Sequence, residues 1–275
     1  MRRWVVVSSA GAAVAASIAV LAVVRVEGQG RPAAPAPART QAYTPRRTTD
    51  GQPDLQGVWR VWNLAKYDIE DHSAYAGVPA GKGVVEGGQL PYLPAALAKR
   101  NENFKNSRTT DPLKSADPLA KCYIPGVPRV NYTGWPLQIV QTSRYVEIMY
   151  EWMHERRFIY FDPKGRMQRV DFWNGDSRGH WEGNSLVVDV ANFNDRTWFD
   201  MAGNFHSDAL HVTERYTLAG PDTLTYEATI EDPKVFTRPW KMSMPMQRQK
   251  EVGLLEYECQ AMLEEAGYEL TWPRE

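Results

Sequence analysis

From Ile139 onward the chain is cut about every ten residues by turn-forming residues, and the runs between the cuts are short and rich in β-branched and aromatic side chains. That spacing leaves no room for crossover helices and predicts consecutive antiparallel strands. Ile139–Gln141 and Tyr145–Trp152 flank Thr142-Ser143-Arg144; Arg157–Phe161 precedes Asp162-Pro163-Lys164-Gly165, and Met167–Trp173 precedes Asn174-Gly175-Asp176. His180-Trp181-Glu182 turns through Gly183-Asn184 into Ser185–Val190, where Leu186, Val188 and Val190 share one face. Leu210–Leu218, Thr223–Ile230, Lys241–Met246 and Leu254–Cys259 continue the pattern. With Gly57–Trp62 the count approaches about ten strands, which suits a closed barrel because closure removes exposed edges. The expected fold is mainly β, an antiparallel meander closing into a barrel; a two-sheet sandwich is the alternative.

Residues 63–136 break the pattern. Gly and Pro recur, and only Pro94–Phe104 has helical character. So long an excursion after the first strand predicts a cover over one end of the barrel.

At the N-terminus, Arg2 and Arg3 precede an unbroken small and apolar run from Trp4 to Val24, the charged and apolar regions of an export signal. The run is also long enough to span a bilayer, so residues 1–28 are read as a signal peptide or a membrane anchor. Val26 and Gly28 are small residues where a signal peptidase reads, which would start the mature chain near Gln29. Residues 29–49 are rich in Pro, Ala, Arg and Thr and too poor in large apolar groups to build a core, so a disordered linker is expected there. Residues 50–275 then form one domain. An exported chain resides in the periplasm or outside the cell, with membrane contact only through its N-terminal segment. In such a compartment the two cysteines, Cys122 and Cys259, are expected to pair.

The 32 basic and 33 acidic residues balance, which argues against nucleic acid as a partner. Ten Trp and thirteen Tyr can pack a β core or line a pocket for an apolar or aromatic ligand. Neither G-x-x-x-x-G-K-[ST] nor G-x-G-x-x-G occurs, and Ser207 lacks the elbow of a nucleophilic serine. No cofactor is expected.

The densest polar stretch is Asn204–Tyr216. Alternation along a strand puts Leu210, Val212, Glu214 and Tyr216 on one inward side, and strand geometry extended backwards would add His206 and Asp208 at the barrel mouth. His206, Asp208 and Glu214 are therefore the candidate acid–base groups, with Trp181, Trp198, Arg215 and Tyr216 as candidate ligand contacts. A Glu214 buried against an arginine, holding the barrel without chemistry, is the competing reading. His211 faces away from the other three, so no metal site is expected.

Three stretches, Cys122 to Arg129 (CYIPGVPR), Gly179 to Gly183 (GHWEG) with Leu186 to Asp189 (LVVD), and His206 to Tyr216 (HSDALHVTERY), together resemble a widespread family of exported bacterial proteins. That family has Asp-Thr where this chain has Asn184-Ser185. The resemblance implies export and a β fold and supplies no catalytic residue. The opening Gly57-x-Trp59 resembles the first strand of lipocalin-like barrels. Two functions follow as expectations. One is an exported barrel that binds a small apolar or aromatic molecule, whose catalytic form would be a cofactor-free isomerase, lyase or hydrolase. The other is a non-catalytic envelope protein with a filled barrel that docks a protein partner.

Overall fold

The computed structural model describes residues 43–75, 77–167 and 169–269. The export signal or anchor and the linker as far as residue 42 lie outside them. Nine strands close into one barrel in sequence order: β1 (Gly57–Val61), β2 (Leu137–Gln141), β3 (Tyr145–Tyr150), β4 (Arg156–Tyr160), β5 (Asp176–Glu182), β6 (Ser185–Ala191), β7 (His211–Leu218), β8 (Thr223–Glu231) and β9 (Trp240–Gln249). β1 closes the ring by pairing with both β2 and β9. A barrel, and not the two-sheet sandwich, is the answer.

One pairing departs from the expected meander. β4 and β5 are parallel and share only two residue pairs, Ile159 with Ser177 and Tyr160 with Arg178. Among the described residues of the stretch expected as a strand at Met167–Trp173 no strand forms; Phe172 makes an isolated bridge to Phe193. Side chains bond Met167 and the turn before it, and the Asn192 and Asn194 backbone bonds Phe172. Asp162 accepts from the Lys164 amide, Asp176 accepts from the Met167 amide, and Asn192 donates to the Met167 carbonyl. With its polar groups bonded this way, the segment can run back to the start of β4 without a ladder partner.

Leu254–Cys259 is not a strand either. Tyr257 bridges Trp152, and a short helix α2 (Cys259–Glu265) follows α1 (Pro94–Ser107) in the helix count. Cys122 and Cys259 form a disulfide, with Cα atoms 5.6 Å apart and 137 residues of separation. It ties the C-terminal segment to the excursion beside Trp135, Trp152 and Tyr257.

Residues 43–49, assigned to the linker by composition, pack on the barrel. Tyr43 lies against the core, Pro45 is buried, and Arg47 bridges Pro53 and donates to Asn184 at 2.7 Å.

The interior is occupied by side chains. Along β7 the buried residues are Val212, Glu214, Tyr216 and Leu218; β8 adds Leu224, Tyr226, Ala228 and Ile230, and β9 adds Trp240, Met242, Met244 and Met246. The period-two alternation predicted for β7 is therefore observed. Residues of the excursion complete the filling. Arg129–Tyr132 form a buried 3-10 turn; Arg129 is held in a bidentate ion pair by Asp117 at 2.7 and 2.8 Å, and the Tyr132 hydroxyl donates to the Phe199 carbonyl. α1 docks on the loop before β7, where Asn103 donates to the carbonyl of Gly203. Gly203 has φ +85°, and a Cβ there would sit 2.8 Å from the Phe104 amide nitrogen, so only glycine lets the helix come this close.

Candidate functional site

The three candidate acid–base residues separate into different environments, and no hydrogen bond joins any two of them among the described residues. Glu214 is wholly buried inside the barrel. Arg157 of β4 donates to both of its oxygens, and Asn131, Tyr216 and Tyr226 donate to Oε1 at 3.1, 3.0 and 2.9 Å. Tyr150 donates to Asn131, and the Arg157 Nε donates to Ser177 on β5. Burial opposes the Arg157 charge, but Glu214 outweighs it and holds the guanidinium pKa above its ordinary value. Burial and then the Glu214 charge push the Tyr216 and Tyr226 hydroxyls up. Arg157, Asn131, Tyr216 and Tyr226 all donate to the Glu214 carboxylate, which is therefore engaged within the barrel and closed to solvent.

His206 is buried between Phe193 and Phe199. Its Nδ1 donates to the Ser207 carbonyl, and its Nε2 accepts from Thr197 at 2.6 Å. Burial lowers its pKa, so the ring is neutral at pH 7. Asp208 does not join it at the barrel mouth. The strand begins at His211, so alternation does not extend back to 208, and Asp208 is exposed, paired with Lys234 at 2.6 Å. Lys234 holds the Asp208 carboxyl below the usual range.

The candidate ligand contacts also scatter. Tyr216 belongs to the interior network. Arg215 points outward and pairs with Glu182 at 2.7 Å. Trp181 packs on Phe161 beside a cleft bordered by Arg47 and Gln141, and Trp198 bridges Phe205 in the loop before β7. Among the described residues no three His, Cys, Asp or Glu side chains converge as metal ligands.

Two other regions gather perturbed groups. Asp68, Glu70 and Asp200 crowd around Arg100, Asn204 and Tyr92 where the excursion meets the loop before β7. Burial, then repulsion from Asp68, pushes Asp200 up to about 7, and burial also raises Asp68 and Glu70. Each carboxylate there takes backbone amides: Ile69 and Asn204 donate to Asp200, Glu70 to Asp68 and Leu90 to Glu70. The cluster thus clasps loops together.

The second region is the parallel seam. Because β4 and β5 pair over only two positions, a cleft of about 370 Å³ opens beside them. Its wall is more apolar than those of four other clefts on the described residues. Phe158, Tyr160, Met167, Phe172 and Trp173 supply that wall, with Tyr160 and Met167 42% and 56% exposed. Its polar groups are Glu155, Asn174, Asp176, Ser177 and the arginines 156, 157 and 178. Asn174 donates to Glu155 at 2.9 Å, and burial raises the Glu155 pKa. Arg157 thus borders the cleft while bonding Glu214 inside.

Sequence reasoning missed Glu155, Asn174 and Trp173. They come together only because the chain crosses back to start β5 parallel to β4, and Asn174-Gly175-Asp176 read locally as an ordinary turn. The chain matches no protein-family model and no curated protein.

Proposed function

We propose that this is an exported barrel protein that binds a small, largely aromatic or apolar molecule in the cleft beside the β4–β5 seam. The carrying observation is an aromatic-walled cleft of about 370 Å³, within the size range of small-molecule sites, at the point where the barrel ladder is weakest. The ligand is not placed in the barrel interior, which side chains occupy. Glu214 acts as an internal lock and His206 as a packed core group, so binding, not acid–base turnover, is the function proposed. Export is supported by the apolar N-terminal run, by the resemblance to exported bacterial proteins, and by the Cys122–Cys259 bridge, which suits an oxidising compartment.

Thermal-shift titration with neutral aromatic probes such as toluene, indole and benzyl alcohol tests the reading. Stabilisation by at least one probe, weakened in Trp173→Ala, is expected. If no probe raises the melting temperature, the cleft reading fails. The filled interior would then favour the second reading, an envelope protein whose excursion 63–136 docks a partner.

A further inference from the structure

We infer that the occupant of the seam cleft is an organic cation, an apolar amine whose ammonium group is held by Glu155; this rests on the reading of the cleft as a binding site. Each arginine in the wall already has a carboxylate. Arg156 holds Glu147, Arg157 holds Glu214 and Arg178 holds Asp176. Among the described residues Glu155 has no cationic partner; its one side-chain hydrogen bond comes from the neutral amide of Asn174. It is the unbalanced charge of the cleft.

Asn174 is itself buried, which fixes the Glu155 carboxylate from behind. No positive group offsets the burial of Glu155, whose pKa is accordingly raised. An unpaired, half-buried carboxylate is stabilised by an ammonium that fits against apolar walls. The walls suit the same ligand, because an aromatic face attracts cations. Guanidinium groups already lie against two of these rings, Arg156 over Phe158 at 5.5 Å and Arg178 over Tyr160 at 5.3 Å from the ring centroid. A carboxylate ligand would find each arginine neutralised and Glu155 repelling it.

Calorimetric titration of the disulfide-intact protein at pH 8 with benzylamine, benzyl alcohol and benzoate, three probes of similar shape and different charge, is the test. Benzylamine is expected to bind about tenfold more tightly than benzyl alcohol, equivalent to roughly 1.4 kcal/mol, with benzoate weakest. Glu155→Gln, which keeps the acceptor for Asn174, should erase the preference and leave benzyl alcohol binding intact. Equal affinities in the wild type, benzoate binding best, or a preference that survives Glu155→Gln would each overturn the inference while the cleft reading stands. If none of the three binds, the cleft reading itself is overturned. The ranking in the wild type needs no variant, so poor folding of Glu155→Gln would not remove the test.

Discussion

Arg157 on β4 and Glu214 on β7 meet across the barrel interior: Nη1 donates to Oε1 at 3.1 Å, Nη2 donates to Oε2, and both side chains are closed to solvent. The pair spans the interior from the strand beside the weakest seam to a strand with full ladders on both sides. Its function is therefore to hold β4 in place where the ladder is short.

Removing either partner should leave an uncompensated buried charge. Arg157→Met and Glu214→Gln are each expected to lower unfolding stability by about 3–5 kcal/mol, read from urea midpoints. The double variant should be more stable than Arg157→Met alone, because the amide that replaces the carboxylate would still accept from the tyrosines with no charge left unpaired. A catalytic Glu214 would behave oppositely, with Glu214→Gln keeping full stability.

The loop clasp sets a pH dependence. Asp200 has a folded pKa of about 7 against 3.8 for the free carboxyl, so between these values the folded state binds more protons than the unfolded one. Stability should then fall as pH rises from about 4 to about 7 and level off above that. Asp68 and Glu70, also raised by burial, act in the same direction. His211 adds to it: its bond to Asp189 raises its pKa, so its contribution is present below 6.5 and lost as pH rises through the folded value. Melting curves from pH 4.5 to 8 should show the decline, with a shallower slope in Asp200→Asn. Buried His206, whose pKa is lowered, works in the opposite direction below 6.5, so a slope left unchanged in Asp200→Asn is the result that would contradict this assignment.

The disulfide closes a loop of 137 residues. Cys122→Ala with Cys259→Ala should cost about 2–5 kcal/mol, seen as a lower denaturant midpoint that reductant reproduces in the wild type. The stacked Trp152 and Tyr257, 5.0 Å between centroids, sit beside the bridge. Their near-ultraviolet circular dichroism should weaken in the same variant.

The barrel was legible where one physical rule acts alone. Alternation along β7 to β9 identifies the inward residues, and the Gly183-Asn184 turn marks the β5–β6 hairpin, because a half-buried strand imposes period two whatever surrounds it. It was not legible where side chains replace the ladder. Met167–Trp173 carries strand-like residues, yet the side chains of Asp176 and Asn192 take the Met167 amide and carbonyl and the Asn192 and Asn194 backbone bonds Phe172, and which of strand or loop wins depends on such partners. Distance in sequence hid Arg157 as the partner of Glu214 and Glu155 as a cleft residue. Asp208 failed for a local reason: the Ala209 amide donates to the Ser207 hydroxyl and the Leu210 amide to the Ser207 carbonyl, a turn that stops strand geometry from reaching back beyond His211.

The seam itself makes the last prediction. β4 holds β5 through two residue pairs, whereas β7 and β8 share eight. Opening β4 from β5 breaks few ladder bonds, and the opposing cost comes mainly from the Arg157 contacts to Glu214 and Ser177. Local opening should therefore be easier here than elsewhere in the barrel, and amides of β4 and β5 that face the seam should exchange with deuterium faster than those of β7 and β8. Arg157→Met should accelerate that exchange selectively. A ligand seated in the cleft binds the closed seam, so saturating benzylamine should slow the same amides by a factor that grows with its concentration. Uniform slowing across all nine strands would mean that the ligand stabilises the barrel without touching the seam.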